Sequence, residues 1–306
     1  MKQTTNTLLM IKPVAFSNNA ETAVNNHYQK ETKDSDDTVQ EKALKEFNLL
    51  VKKLKKAGLT IIIVEDTLTL NTPDAIFPNN WISFHENDTA CVYPMFAENR
   101  RLERRADVFD IIEKEGFKYK HVVDYTSAEE ENIFLEGTGS MVLDRENKIA
   151  YCALSPRSDE MLFIEFCEEM EYTPIVFRAN STVNGKRKAI YHTNVMMSIG
   201  EKFAVISLQS IDDKKQRKQV AQTLQDSGKI VINISEEQVA AFAGNMLQVK
   251  GAENKNYIVM SQTAYKSLRK AQIDLIESHG EIIKSNISTI EKNGGGSVRC
   301  MLAEIF

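Results

Sequence analysis

Short apolar runs recur along the whole chain and are typical of strands that lie buried in a sheet. They occupy residues 8–13, 59–66, 81–84, 90–94, 121–125, 140–144, 149–155, 173–178, 203–208, 229–235, 246–251, 257–262, 281–286 and 298–306. Between some of them, apolar residues fall on one face at helical spacing, which predicts amphipathic helices at 40–57, 100–116, 158–170, 212–227 and 263–278. The pattern as a whole predicts a mixed α/β fold.

The order of these elements repeats along the chain. Two strands, a helix and a further strand recur about every 50–60 residues, five times over, with negligible sequence identity between the units. This order differs from the strand–helix alternation of a doubly wound sheet. Repeated ββαβ units are able to close into a ring with one site at the hub. No linker rich in Pro, Gly or Ser divides the chain, so residues 1–306 are predicted to form a single domain.

Composition narrows the class of protein. The chain is 42% hydrophobic and 26% charged, as is usual for soluble globular proteins. Its net charge of −5 argues against nucleic acid or an anionic membrane as the main partner. No apolar run is long enough to span a bilayer, and the first residues lack the apolar core of a signal peptide, so we expect a cytoplasmic protein. We expect no metal or cofactor, because the His, Cys, Asp and Glu residues show no ligand spacing.

Cys300 is the candidate nucleophile among four widely spaced cysteines. It follows three glycines in the stretch NGGGSVRCMLAEIF (293–306), and glycine permits a positive φ or a close approach to the backbone. This stretch predicts a loop that delivers a thiol to a site, followed by a strand that anchors it. Cys91, Cys152 and Cys167 lie in apolar runs and are expected to pack as small hydrophobic residues.

A nucleophilic thiol needs an acid or base nearby, and His192 is the preferred candidate among five histidines. It lies in KAIYHTN, at the start of an apolar strand. Its position alone is explained equally well by a structural histidine at a strand edge. His85, at the end of WISFH, is a second and weaker candidate.

Six spaced segments together resemble the motifs of the guanidine-modifying (pentein) superfamily, which contains arginine deiminases, dimethylarginine hydrolases, amidinotransferases and succinylarginine dihydrolases. In chain order they are PDAIFPNNW (73–81), LEGTGS (135–140), LSPRSD (154–159), YHTN (191–194), GNMLQV (244–249) and NGGGSVRCM (293–301). Within the superfamily, the chain is most similar to the bacterial citrulline hydrolase (ureidase) group. The resemblance implies a five-bladed ββαβ propeller with a central active site.

The resemblance also implies roles for individual residues. Cys300 would attack the planar carbon of a guanidinium or ureido group as a thiolate. His192 would protonate the departing nitrogen and then deprotonate the water that cleaves the covalent intermediate. Glu136 would accept hydrogen bonds from substrate nitrogens, and Arg157 would grip the substrate α-carboxylate. Asn194 matches a position that is often acidic in the superfamily and would orient the imidazole. The predicted substrate-binding residues are Asp74, Asn79, Asn80, Arg157, Asn194 and Asn245.

The departures from the superfamily motifs bear on the substrate. Relatives that act on arginine surround the cationic guanidinium with carboxylates, whereas this chain has Asn79 and Asn80 after Asp74, and Gly139 and Ser140 where an acid is usual. Amides donate and accept hydrogen bonds and so suit a neutral ureido group. We therefore expect hydrolysis of citrulline to ornithine, carbon dioxide and ammonia. A pocket with one or two carboxylates favours citrulline, and a pocket with three or more favours a cation.

Other functions stay open at this stage. An arginine deiminase, a dimethylarginine hydrolase or an acylarginine hydrolase would use the same nucleophile, and succinylarginine dihydrolases also have an amide-rich pocket. An amidinotransferase needs an intermediate shielded from water. A non-enzymatic binding propeller would lack the nucleophile. A homodimer is possible. Residues 15–29 could line or cover the site, although no physical rule assigns them that role, and residues 29–40 are expected to form a surface loop.

Overall fold

The computed structural model describes residues 2–30 and 32–306, and in these ranges short strands dominate. In chain order they are β1 (Thr7–Lys12), β2 (Thr60–Glu65), β3 (Ile82–His85), β4 (Thr89–Val92), β5 (His121–Asp124), β6 (Met141–Asp144), β7 (Ile149–Ala153), β8 (Thr173–Phe177), β9 (Asn180–Val183), β10 (Lys186–Ala189), β11 (Met197–Ile199), β12 (Phe203–Ile206), β13 (Ile230–Asn233), β14 (Leu247–Lys250), β15 (Asn256–Ser261), β16 (Glu281–Ser285) and β17 (Ala303–Ile305).

Within the described ranges these strands form six small sheets. Four have the orders β3-β4-β5, β6-β7-β8, β11-β12-β13 and β14-β15-β16, and a fifth has the order β17-β1-β2. In each of the five, the middle strand pairs antiparallel with one neighbour and parallel with the other. Parallel neighbours need a crossover connection, usually a helix, so the predicted repeat of two strands, a helix and a strand is confirmed. The two-stranded sheet, β9 with β10, was not predicted.

The two ends of the chain meet in one sheet. Strand β17 runs antiparallel to β1, with Thr7 opposite Ile305 and Leu9 opposite Ala303. Leu9, Ala303 and Ile305 are all buried, which explains why an apolar run follows the glycines. The prediction that the final residues dock as a strand is therefore confirmed.

The described helices are mostly short. They are α1 (Ala20–Ala23), α2 (Asp36–Lys56), α3 (Glu98–Arg101), α4 (Asp107–Lys114), α5 (Gly137–Ser140), α6 (Glu160–Glu169), α7 (Thr193–Met196), α8 (Lys214–Asp226), α9 (Glu236–Ala240), α10 (Gln262–Ser267), α11 (Lys270–Glu277) and α12 (Ser288–Gly294). Single 3₁₀ turns occupy Pro78–Asn80, Thr126–Glu131, Leu208–Ser210, Ala252–Asn254 and Val298–Met301. None of the helices in the described part of the chain is long and apolar enough to cross a membrane.

Three of the five predicted helices are confirmed as α2, α6 and α8, and two are divided. The helix predicted at 100–116 is two helices, α3 and α4. The helix predicted at 263–278 breaks between α10 and α11, because Leu268 has an extended backbone with ψ of 141°. The surface loop predicted at 29–40 is shorter than expected, since Ser35 caps α2 by accepting a hydrogen bond from the Thr38 N–H.

The glycine stretch was only partly predicted. A loop was expected throughout, but Asn293 and Gly294 end helix α12, and Cys300 lies in the 3₁₀ turn Val298–Met301. Gly295 follows the helix with a φ of 62°, a conformation that favours glycine. A side chain at Gly294 would come within 2.7 Å of the Phe77 ring. The glycines therefore let the chain leave α12 sharply and pass close to Phe77.

Helix α12 is held in place from α2. The Glu46 carboxylate accepts hydrogen bonds from the N–H groups of Thr289 and Ile290, at 3.0 and 3.1 Å. These N–H groups belong to the first turn of a helix and have no partner within it. Glu46 thereby fixes the helix that leads into the glycines and Cys300.

We predict that Glu46→Ala lowers the free energy of unfolding by about 1–2 kcal/mol, because helix-capping contacts contribute that much. Urea unfolding measures the change. Glu41→Ala is the matched control on the same helix, because the Glu41 side chain is 75% exposed in its pair with Lys45. An equal effect of the two substitutions would contradict the capping role.

Candidate active site

Residues from four of the six predicted segments line one small cavity. Its volume is about 10 Å³, which is about the room needed by one water molecule. The lining residues are Asn26, Asp74, Phe77, Asn80, Arg100, Arg157, Tyr191, His192, Gly294, Gly296 and Cys300. The predicted nucleophile and the predicted acid–base thus face the same space.

Glu136 lies directly behind His192. The imidazole Nε2 is 2.8 Å from Glu136 Oε2, and both side chains are buried. The other carboxylate oxygen accepts a hydrogen bond from the Phe96 N–H at 3.0 Å. The carboxylate therefore holds the ring in place, a contact that the sequence had assigned to Asn194.

The glycines of LEGTGS make this arrangement possible. Gly137 has a φ of 47°, and a side chain there would lie 2.5 Å from the Asn79 carbonyl oxygen. A side chain at Gly139 would lie 2.8 Å from His192 Nδ1. Both positions therefore need glycine so that helix α5 can pack against the imidazole and the Asn79–Asn80 turn.

Burial and the neighbouring charged groups determine the protonation states of Glu136 and His192. Burial disfavours the charged carboxylate, but Arg157 and His192 outweigh it and hold the pKa of Glu136 at about 2. Burial lowers the pKa of His192 to about 4, although the hydrogen bond to Glu136 opposes the shift. At neutral pH the pair is therefore a carboxylate and an uncharged imidazole.

Two buried arginines flank Glu136. Arg157 Nη1 is 3.5 Å from Glu136 Oε2. The resemblance implied that Arg157 binds the substrate α-carboxylate and did not predict this contact with Glu136. Arg100 Nη1 is 4.0 Å from the same Glu136 oxygen, and Arg100 Nε and Nη2 donate hydrogen bonds of 2.9 Å each to the Glu103 carboxylate. From the sequence, Arg100 could either contact a substrate carboxylate or face solvent on a helix; in the structure it lies in the four-residue helix α3 and is buried.

Arg100 also fixes the amide of Asn80. Its Nη1 donates a hydrogen bond to Asn80 Oδ1 at 2.8 Å, so the Asn80 NH₂ group points away from the arginine. That NH₂ group donates to Asn79 Oδ1 at 3.1 Å, and Asn79 in turn donates to the Thr138 hydroxyl at 3.2 Å. Of the two predicted amides, Asn80 lines the cavity and Asn79 supports it.

The predicted residues Asn194 and Asn245 face the sulfur. Asn245 Nδ2 is 3.3 Å from Cys300 Sγ, and Asn194 Nδ2 is 3.5 Å from it. The expected role of Asn194 is therefore wrong in one respect, because its amide contacts the thiol while Glu136 orients the imidazole. Neither asparagine is among the residues that line the cavity.

Residues 18–30, which we call the strap, close the cavity. Asp74 Oδ2 accepts hydrogen bonds from Asn19 and Thr22, at 2.8 and 3.0 Å. Arg157 donates to Asn25 Oδ1 and to the Thr22 carbonyl oxygen, both at 2.8 Å. The sequence left open whether residues 15–29 line or cover the site, and the structure places this segment over the cavity.

The second histidine candidate lies elsewhere. His85 is fully buried and forms a 2.7 Å hydrogen bond with Ser83. Burial, together with Arg145 and Lys148, holds its pKa well below the usual value. Cys91, Cys152 and Cys167 are also buried, as predicted. Among the described residues, no group of His, Cys, Asp and Glu side chains is arranged to hold a metal ion.

A larger groove of about 780 Å³ lies on the outer side of the strap. His27, Tyr28 and Lys30 of the strap form one wall, and Glu236 and Lys292 lie opposite. The groove contains none of the residues predicted to act on substrate. We therefore identify the small closed cavity as the candidate active site.

Comparison with known proteins decides the family. The sequence model of the family described as N,N dimethylarginine dimethylhydrolase, eukaryotic, matches residues 12–306. The chain belongs to this family. It is therefore a guanidine-modifying enzyme of the pentein superfamily, a cysteine-dependent hydrolase of C–N bonds. No curated protein sequence matches the chain.

Solved structures share the fold. The N-terminal domain of ArgZ, an arginine dihydrolase from the ornithine–ammonia cycle in cyanobacteria, matches with a TM-score of 0.73 at 15% identity, over 98% of this chain and 97% of that one. A dimethylarginine dimethylaminohydrolase adduct with S-methyl-L-thiocitrulline matches with a TM-score of 0.63 at 16% identity, over 98% and 99%. Unliganded AgrE matches with a TM-score of 0.74 at 16% identity, but this chain covers only 39% of it. The chain likewise covers 40% of full-length ArgZ.

We predict that His192 makes stability depend on pH in the acid range. Between pH 6.5 and pH 4, the unfolded chain protonates this histidine and the folded one does not, so the free energy of unfolding falls as the pH falls. Measured by urea unfolding over this pH range, the free energy of unfolding should fall by on the order of 3 kcal/mol more in the wild type than in His192→Gln. Groups that do not contact His192 cancel in this difference. Equal falls would mean that the buried imidazole is already protonated.

Proposed function

We propose that the protein hydrolyses citrulline to ornithine, carbon dioxide and ammonia. The observation that carries the proposal is the charge around the cavity. Of the described residues that line it, only Asp74 is acidic, and the Glu136 carboxylate lies behind the imidazole, whereas Arg100 and Arg157 are both buried there. A cationic substrate would be costly to bury beside these two arginines without further carboxylates, and a neutral ureido group avoids that cost.

The orientation of the Asn80 amide also favours a neutral ureido substrate over a cationic one. Since Arg100 occupies its carbonyl oxygen and Asn79 accepts one of its N–H groups, Asn80 has one N–H group left to offer to a substrate. A ureido oxygen accepts such a hydrogen bond, whereas a guanidinium has only N–H donors and no acceptor. Asn80 therefore suits the ureido oxygen.

The reaction begins with the Cys300 sulfur and the uncharged His192 imidazole. The Cys300 proton passes to His192 as the sulfur attacks the ureido carbon and forms a C–S bond. The imidazolium then protonates the ornithine nitrogen as the C–N bond breaks, leaving a carbamoyl group on the sulfur. Next, His192 deprotonates a water molecule, which attacks the carbamoyl carbon, and the thiolate leaves and recovers its proton. The carbamate released breaks down to carbon dioxide and ammonia.

Arg157 and Asp74 are suited to the α-carboxylate and α-amino groups of an amino acid. Both now form hydrogen bonds with the strap, and the cavity holds about one water. Substrate binding therefore requires the strap to open. The polar groups of the substrate then replace those of the strap as hydrogen-bond partners of Arg157 and Asp74. No metal or cofactor takes part in these steps.

We further propose that residues 1–306 form one catalytic domain, in which the five three-stranded sheets are the blades of a propeller around this cavity. The edge strand β17 lies beside β3, and β11 lies beside both β6 and β14, which supports a ring of sheets. The cytoplasmic location and the possible homodimer stay predictions.

A second candidate is hydrolysis of arginine or methylated arginine. The family model is described as a dimethylarginine dimethylhydrolase, and ArgZ is an arginine dihydrolase. An arginine dihydrolase would pass through the same ureido chemistry in its second half. The two candidates differ in whether the pocket accepts a cation.

A product assay with citrulline, arginine and dimethylarginine in parallel separates the candidates. We expect ornithine and ammonia from citrulline alone, and no turnover by Cys300→Ser. Citrulline or ornithine formed from arginine would favour the second candidate and would contradict the charge argument. Turnover by Cys300→Ser would exclude the proposed nucleophile.

We also predict that Asn80→Asp lowers kcat/KM for citrulline by about a hundredfold, because it replaces a donor by an acceptor at the ureido oxygen. The same substitution should raise the ratio of arginine turnover to citrulline turnover, since it adds a carboxylate for a cation. Steady-state kinetics on both substrates measure the ratio. An unchanged ratio would show that Asn80 does not select the substrate.

A further inference from the structure

Two side-chain amides contact the Cys300 sulfur, and a substrate-binding role does not account for them. Asn245 Nδ2 lies 3.3 Å from Sγ and Asn194 Nδ2 lies 3.5 Å from it. Both amides are buried, so no solvent competes for these N–H groups. An N–H donor aimed at sulfur stabilises the thiolate more than the thiol.

The amide of Asn245 can face the sulfur in only one way. Its Oδ1 accepts a hydrogen bond from the Arg299 N–H at 2.9 Å, and its Nδ2 donates to the Asn194 carbonyl oxygen at 3.0 Å. Turning the amide over would set Oδ1 against a carbonyl oxygen and Nδ2 against an N–H. The backbone therefore fixes an N–H group toward Cys300.

The backbone that carries Asn245 is itself held close to the histidine segment. A side chain at Gly244 would lie 2.5 Å from the Val195 carbonyl oxygen, so residue 244 packs directly on helix α7. Phe242, just before it, has a φ of 62°. This tight turn places Asn245 at one position relative to both α7 and the nucleophile.

We infer that Asn245, assisted by Asn194, stabilises the negative charge that develops on Cys300 Sγ, which makes Asn245 a catalytic residue. The inference deepens the proposed function and rests on it, because a neutral ureido substrate brings no positive charge to a thiolate. The arginines at the cavity are already paired, Arg100 with Glu103 and Arg157 with Glu136. Uncharged N–H donors therefore supply the stabilisation without adding a cation.

Stabilisation of the negative charge on Cys300 Sγ is needed twice in each catalytic cycle. The sulfur becomes negative when it gives its proton to His192, and again when it leaves the carbamoyl carbon. Asn245 is not among the residues that line the cavity, so a substrate in the cavity does not displace its contact with the sulfur. Its N–H group stays in place through both steps.

The thiolate absorbance of Cys300 tests the inference without any substrate. The ultraviolet absorbance of each protein, minus that of the same protein carrying Cys300→Ser, gives the thiolate fraction as a function of pH. Asn245→Asp keeps the acceptor for the Arg299 N–H but replaces the donor by an acceptor. We expect the thiolate absorbance to appear at a pH about one unit or more higher in Asn245→Asp than in the wild type, the effect of losing one hydrogen bond to a charged group.

Gln248→Glu is the matched control. Gln248 is a buried amide on β14 with the same pair of backbone contacts, since its Oε1 accepts from the Glu201 N–H and its Nε2 donates to the His279 carbonyl oxygen. It has no contact with Cys300, so its replacement by an acid should leave the thiolate fraction unchanged. A rise in the pH of thiolate formation as large as that of Asn245→Asp would overturn the inference in favour of a general effect of buried charge.

Asn194→Leu is the second variant, for the case that Asn245→Asp does not fold. It removes one N–H donor and adds no charge, and we expect a smaller rise in the pH at which the thiolate appears. An unchanged thiolate fraction in a folded Asn194→Leu or Asn245→Asp protein would overturn the inference. Because no citrulline is present, a failure of the proposed substrate does not affect this outcome.

Discussion

The site depends on one carboxylate that has no contact with water. Glu136 is fully buried, and a buried carboxylate without partners would take up a proton or destabilise the fold. Arg157, Arg100 and His192 surround it and keep it ionised. The same contacts align the imidazole and fix both arginines, so the position of each depends on the charge of Glu136.

This arrangement leaves the cavity close to neutral. Each arginine already has a carboxylate, and the groups that meet the sulfur are uncharged amides. A cationic substrate would find little negative charge available, whereas a ureido group finds donors and acceptors of the right kind. The strap completes the enclosure by forming hydrogen bonds with Arg157 and with one carboxylate oxygen of Asp74.

Much of the fold was predictable, because apolar runs and helical spacing are local properties of the sequence. His192, Glu136 and Cys300 were found because each lies in a short motif with diagnostic neighbours. The position of Arg100 stayed open between the site and solvent, because its helix is only four residues long and nothing in the sequence shows that it turns inward. The roles of Asn194 and Asn245 needed the structure, since they follow from long-range contacts between segments more than 50 residues apart.

The most direct test of the account is to trap the covalent intermediate. The protein is mixed with citrulline that carries heavy carbon in the ureido group, quenched in acid and examined by peptide mass spectrometry. The account predicts a labelled carbamoyl group on the peptide that contains Cys300, lost on longer incubation and missing in Cys300→Ser. Turnover of citrulline with label found only in free products, at every quench time, would contradict covalent catalysis by this cysteine.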